Sequence, residues 1–133
     1  MATRLPDTPA GSPEELSASF ARALARGDVN AALELWIEDA TILTAAGEPM
    51  RGREAIGAAL RALVDNGAHV EIELSRTITA GDVAVGLGTL TLSGTATGGA
   101  AFRQQSSSTV IYSRGADGRW RIALDAPWGL PDA

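Results

Sequence analysis

The chain has 133 residues, 45% of them hydrophobic, with a formal net charge of −5, one histidine and no cysteine. That length suits a single domain with a real core, and the lack of cysteine excludes disulfides and thiol chemistry. All eleven cations are arginine, which removes lysine Schiff-base chemistry, while the acidic balance argues against nucleic acid as a partner.

No apolar run approaches the roughly 20 residues that a membrane span needs, so no membrane is expected. The opening "MATRLPDTPAGSPEE" has no apolar core of a secretory signal, and a cytoplasmic location is expected. With one histidine and scattered acids there is no recognisable metal-ligand spacing; no metal and no cofactor is expected.

Residues 1–11 read as a flexible tail, and residues 12–133 as one domain. Ser12-Pro13-Glu14-Glu15 predicts a helix start, with Ser12 as cap, Pro13 in the first turn and Glu15 closing a capping box. Leu16, Phe20, Ala23 and Leu24 give it an apolar stripe that Gly27 ends. Asp28 caps a second predicted helix with Val29, Ala32, Leu33 and Trp36 facing inward. "ATILTA" is a short strand, "AGEPMRG" a turn region, and "REAIGAALRALVDNG" a third helix stopped by Asn66-Gly67.

After Gly67 the pattern alternates. "HVEIELSRTITA", "VAVGLGTLTLSG", "FRQQSSSTVIYS" and "RWRIALDAPW" read as four longer strands joined by Gly-rich turns. Gly86 and Gly88 within the second of them predict a bend or bulge. Helices gathered before an antiparallel sheet predict an α+β fold, the sheet curled round the helices and enclosing a concavity.

Taken together, "F-ARALARGDVNAALELWIEDATI", "G-EPMRGREAI" and "T-VIY…ADGRWRI" resemble the nuclear transport factor 2-like superfamily, and within it the SnoaL-like group. The resemblance spans about residues 16–126. It implies a cone-shaped α+β barrel, three N-terminal helices packed in a strongly curved antiparallel or mixed sheet. It also implies a deep apolar pocket and homodimers formed through the sheet. Members include isomerases, dehydratases, polyketide cyclases and epoxide hydrolases, so the fold alone does not name a reaction.

Two family mechanisms can be held against this sequence. Ketosteroid isomerase needs a carboxylate base, with a tyrosine and a protonated acid holding the oxyanion. Those positions fall on Thr44, Phe20 and near Thr109, so the isomerase residues are absent. The limonene-type epoxide hydrolase needs an arginine between two acids; here the matching strand reads Arg103-Gln104-Gln105, which leaves Asp125 as half a pair.

Asp125 on the last strand is the candidate acid or base. In SnoaL-like relatives its position often carries a histidine facing the pocket, and an acid in an apolar cavity has a raised pKa. The alternative is an ion pair with Arg103 or Arg121. Gln105, Ser107 and Thr109 share a strand face and are candidate neutral donors to a ligand, or simply cross-strand partners. Phe20, Trp36, Thr44 and Trp128 complete the candidate lining, though Trp36 reads more readily as core than as a ligand clamp, and Trp128 equally as a terminal packing residue. His69, Arg51 and Arg53 read as solvated. Glu34, Glu38 and Asp39 read as a solvated helix end and corner rather than a catalytic pair. The expected partner is a small apolar organic ligand, taken up for isomerisation, cyclisation or dehydration of a carbonyl compound. The alternative is a non-catalytic ligand-binding or dimerisation module.

Overall fold

Ser12 opens the first helix as its sequence requires: its Oγ accepts a hydrogen bond from the Glu15 backbone N–H at 3.3 Å, with Pro13 in the first turn. The computed structural model describes residues 11–44, 46–95 and 98–127, so the proposed tail before Gly11 and the candidate Trp128 lie outside the described residues. Helix α1 (Pro13–Ala25) buries Leu16, Phe20, Ala23 and Leu24, the stripe its spacing predicts. It stops where Gly27 takes a φ of 74°. That left-handed residue lets the N–H groups of Gly27 and Asp28 reach back to the carbonyls of Leu24 and Ala23, both at 2.9 Å.

Asp28 caps α2 (Val29–Glu34), its carboxylate accepting from the Ala31 N–H at 3.0 Å. The helix is two residues shorter than the apolar spacing predicts. Trp36 already begins strand β1 (Trp36–Leu43), so Glu38 and Asp39 are strand residues and both are exposed. The correction has a physical basis: Trp36, Ile37, Thr41 and Ile42 favour extended backbone, and pairing with a neighbouring strand outweighs one more helical turn. A short β2 (Pro49–Arg51), hidden in a segment that reads as a turn, folds back on β1. Helix α3 (Arg53–Asp65) then runs to Asn66 and Gly67 as predicted, burying Ile56 and Leu60.

The four long strands are β3 (His69–Ala80), β4 (Val83–Thr95), β5 (Ala101–Arg114) and β6 (Trp120–Ala126). They form an antiparallel meander, and β1 adds parallel to β6, giving one mixed, open six-stranded sheet in the order β2-β1-β6-β5-β4-β3. The class is α+β, with the three helices against one face. On that face lie Val70, Leu90, Ala84, Val110, Tyr112, Ile122 and Trp36, all members of one buried core with the apolar stripes of the helices.

Two irregularities break the alternation within the meander, beside a third between Trp36 and Thr41 where β1 pairs with β6. On β3 the register shifts between Leu74 and Arg76, opposite Leu87 and Gly88, leaving Ser75 as the extra residue. A Cβ at Gly88 would strike the backbone of Glu73 and Leu74, the Cα of the latter at 2.9 Å, so only glycine lets the strands close here. On β6 the register shifts between the pairs Tyr112–Ile122 and Ile111–Leu124, leaving Ala123 extra.

Gly88→Ala is therefore expected to lower stability by about 3 kcal/mol or more, the range for steric overpacking at an unyielding backbone. Urea unfolding tests it; a loss below about 1 kcal/mol would mean that β3 and β4 do not approach so closely.

Candidate functional site

Strict alternation along β6 groups Asp125 with Arg121 and Ala123, away from Trp120 and Ile122. The extra residue Ala123 reverses that phase. Beyond it, Asp125 pairs with Val110 on β5 and with Ile42 on β1, and directly paired residues share a face. Val110 is core, so the Asp125 side chain points to the helix-covered face. The next row on that face holds Tyr112, Ile122 and Trp36.

The residue as a whole is only half-buried. Protein nevertheless packs densely round its carboxyl, and that burial pushes its pKa up to about 7. The expected arginine partners are occupied elsewhere. Arg121 donates to Asp117 through Nη2 at 2.8 Å, and Arg103 lies on the opposite face of β5. Among the described residues, no ion pair or hydrogen bond engages the Asp125 carboxyl.

Tyr112 is the polar group that sequence reasoning missed. Its hydroxyl and Ser17 Oγ of α1 form a buried hydrogen bond of 2.7 Å. Burial pushes the Tyr112 pKa up to about 12, the Ser17 bond works against this, and the negative charges of Asp125 and Glu14 add to it. The phenol is thus a neutral donor at any physiological pH, within electrostatic reach of Asp125. One signal was present: this is the single tyrosine of the chain, at an inward position of "TVIY". Gly86 on β4 makes the room, since a Cβ there would meet the Tyr112 ring at 2.9 Å.

The other candidates distribute unevenly. Phe20 and Trp36 are brought together in the core, ring edge to ring face, with centroids 5.6 Å apart. The Trp36 indole Nε1 is buried without a hydrogen-bond partner. Thr44 is spent locally: its Oγ1 accepts from the Glu48 N–H at 3.2 Å, closing the turn from β1 to β2. Gln105, Ser107 and Thr109 pair with Thr91, Thr89 and Leu87 on the convex face, so they do not share a surface with Asp125. The even-numbered half, Ser106 and Ser108, faces inward instead. A strand's two faces are separated by one residue of register, so these three stand on the face opposite Asp125.

Gln105 does border a concavity of about 550 Å³ beside α1, shared with Arg22 and Ala25 of that helix, Val70 and Ile72 of β3, Thr91 and Arg103. His69 is exposed there, 3.5 Å from Glu71. Arg53 departs from the solvated reading: its Nη2 donates to the Trp36 carbonyl at 2.6 Å, tying α3 to β1, and its Nε is buried without a partner.

The model of the SnoaL-like domain matches residues 17–122. The chain belongs to this family. That SnoaL-like match is accompanied by solved structures of the same cone-shaped fold. A conserved protein from Planctomyces limnophilus DSM 3776 superposes with a TM-score of 0.77 at 21% identity, covering 85% of this chain and 89% of that one. A ketosteroid isomerase-like protein from Erwinia carotovora atroseptica SCRI1043 gives 0.73 at 14% identity, covering 85% and 89%. An NTF2-like protein with a cystatin-like fold from Novosphingobium aromaticivorans gives 0.71 at 24% identity, covering 84% and 75%. These likenesses establish the fold. No curated protein matches the sequence. Among the described residues, no helix is long and apolar enough to cross a membrane.

The folded carboxyl of Asp125 titrates near 7, against about 3.9 in an unfolded chain. Between those values the unfolded chain holds fewer protons, so stability falls as pH rises from about 4 to about 7. Asp125→Asn removes the penalty. The variant is expected to match the parent near pH 4 and to exceed it by roughly 2–4 kcal/mol at pH 8. Equal stability of the two proteins at both pH values would refute the buried, unpaired carboxyl.

Proposed function

We propose that the protein binds a small, largely apolar organic molecule between α1 and the concave face of the sheet, and that Asp125 moves a proton on it. The observation that carries this reading is the inward carboxyl of Asp125, poised near neutrality and unpaired among the described residues, beside a buried phenol. A base or acid whose pKa lies near the working pH transfers protons most effectively. Ionised Asp125 takes a proton from the carbon next to a carbonyl. With Ser17 donating to the Tyr112 oxygen, the Tyr112 proton is free to hydrogen-bond the enolate oxygen. The protonated Asp125 then returns its proton to another carbon, or to a departing hydroxyl. Isomerisation, cyclisation and dehydration of a polyketide-like carbonyl compound all reduce to these steps. Phe20 and Trp36 supply an apolar wall.

The convex face supports association into a homodimer. Ile78, Val85, Ile111 and Leu124 are paired in one row across β3, β4, β5 and β6. Ile78, Val83 and Leu87 on that side are 49%, 47% and 38% exposed, which is unusual for large apolar side chains clustered on one face. A second copy of the chain covers this face. The same row favours a second reading, a ligand-binding or association module without turnover.

Deuterium uptake by 2-tetralone in heavy water, followed by NMR, separates the two readings. A catalyst accelerates uptake next to the carbonyl over buffer, with a rate that rises through about pH 7, and Asp125→Asn loses roughly 100-fold or more. Equal rates for parent and variant leave the module. For the assembly, light scattering should show the mass of the Ile78→Glu/Leu87→Arg variant at half that of the parent; an unchanged mass rejects the convex face as the interface.

A further inference from the structure

The concavity of about 550 Å³ begins beside α1, where Ala21 and Ala25 are too small to fill the space. It passes the open edge of β3 and continues over the outer face of β4 and β5. Its volume is within the range of small-molecule sites. Register fixes what stands on that outer face. Glu71, Thr91 and Gln105 are paired in one row across β3, β4 and β5, and Glu73, Thr89 and Ser107 in the next. Arg103 stands one row away, paired with Ser93. Directly paired residues share a face, so the acids form a rim along β3 and Arg103 with Gln105 a rim along β5. The short threonines of β4 make the floor. Thr91 is only 8% exposed. Its Oγ1 accepts from Gln105 Nε2 at 3.3 Å, which leaves its own proton for an acceptor in the concavity.

The opposite charges of the two rims do not meet. His69 is the neighbour of Glu71, at 3.5 Å, and Arg22 donates to Ser19 Oγ at 3.1 Å. Among the described residues, no ion pair or hydrogen bond engages the side chains of Glu73 and Arg103. The sheet keeps the rims apart, because β3 and β5 are two strand spacings, about 9.6 Å, from one another. A charge-assisted hydrogen bond of about 2.8 Å at each rim leaves about 4 Å between the end atoms of a bridging molecule.

We infer that this concavity binds a small zwitterion, a free amino acid, with its ammonium on Glu71 and Glu73 and its carboxylate on Arg103. The gap matches the separation of ammonium and carboxylate in an α- or β-amino acid. Arginine offers a carboxylate a planar fork of donors, and an ammonium has three donors to share between two acids. The Thr91 hydroxyl adds a donor from the floor. The charges lining the concavity cancel, Glu71 and Glu73 against Arg22 and Arg103. A guest with one charge of either sign therefore meets an unmatched repulsion, and a zwitterion does not. Asp125 stands on the other face of the sheet, so binding here does not depend on the proton chemistry proposed above.

The test titrates the 15N-labelled full chain at neutral pH with glycine, β-alanine, propionate and propylammonium, reading backbone amide shifts. The tighter of the two zwitterions is expected to shift Glu71, Thr91 and Arg103 saturably and to bind roughly tenfold or more tightly than either singly charged compound. Arg103→Gln should weaken that zwitterion by about tenfold and leave propylammonium unchanged or improved. Glu73→Gln should weaken the zwitterion and leave propionate unchanged or improved. Both side chains are exposed, so the variants keep the fold, which their thermal midpoints check. Asp125→Asn should alter none of the affinities. Equal affinities for zwitterions and singly charged compounds overturn the inference and leave a solvated charged face, as do shifts that never saturate. Zwitterion binding that survives both Arg103→Gln and Glu73→Gln overturns it as well. Shifts centred on Val110, Tyr112 and Asp125 would move the guest to the interior and reject the outer site.

Discussion

One extra residue in the last strand decides on which face Asp125 stands. Ala123 interrupts the pairing of β6 with β5, and everything beyond it changes side. Without the bulge, Asp125 would share the outer face with Arg121, where a solvated carboxylate keeps an ordinary pKa and has ready ion-pair partners. With it, the carboxyl is carried under α1, loses water, and acquires a proton affinity suited to neutral pH. Tyr112 occupies the neighbouring row, so a donor that stays protonated stands near a group that exchanges its proton easily. Bulges are known for re-aiming a side chain next to a site, and here the device is visible as a change of register.

The second bulge, at Ser75, does the same thing for the opposite surface. Ile72 faces the core, yet Ile78 on the same strand is turned outward into line with Val85, Ile111 and Leu124. One irregularity thus sends a polar side chain inward and the other sends an apolar one outward. Both violate the simple pattern of apolar inside and polar outside, and such violations concentrate where a protein has something to bind. Gly88 makes the second bulge sterically feasible, and Gly86 beside it leaves the space that the Tyr112 ring occupies.

These two phase changes also explain what the sequence made legible. The helix starts and stops were readable because they depend on local chemistry, Ser12, Asp28, Gly27 and Asn66-Gly67, with no reference to distant residues. The long strands were readable from alternation, and Gly86 and Gly88 marked the disturbed region of β4. The limits of α2 and β1 were not, because Leu35 and Trp36 fit a helical stripe and a strand equally well, and only the parallel partner β6 decides between them. The site was half legible. Asp125 stands out as an acid in an apolar strand, but which residues keep it company depends on register, which no local signal reveals. Hence Gln105, Ser107 and Thr109 appeared plausible as lining while Ser17 and Tyr112, 95 positions apart, did not.

That distance has a consequence for how the chain comes into being. Helix α1 precedes the sheet in sequence, yet its buried polar contact is with β5, and β1 finds its parallel neighbour only in β6. The surface on which the N-terminal helices dock is therefore complete only once β5 and β6 have joined the sheet. Helix α1 also packs along β3 and α2, while the parallel pairing of β1 waits for the last strand. A fold closed by such distant contacts assembles slowly relative to one built from neighbours. The strand that carries Asp125 is also the one that joins β1 and β2 to the meander.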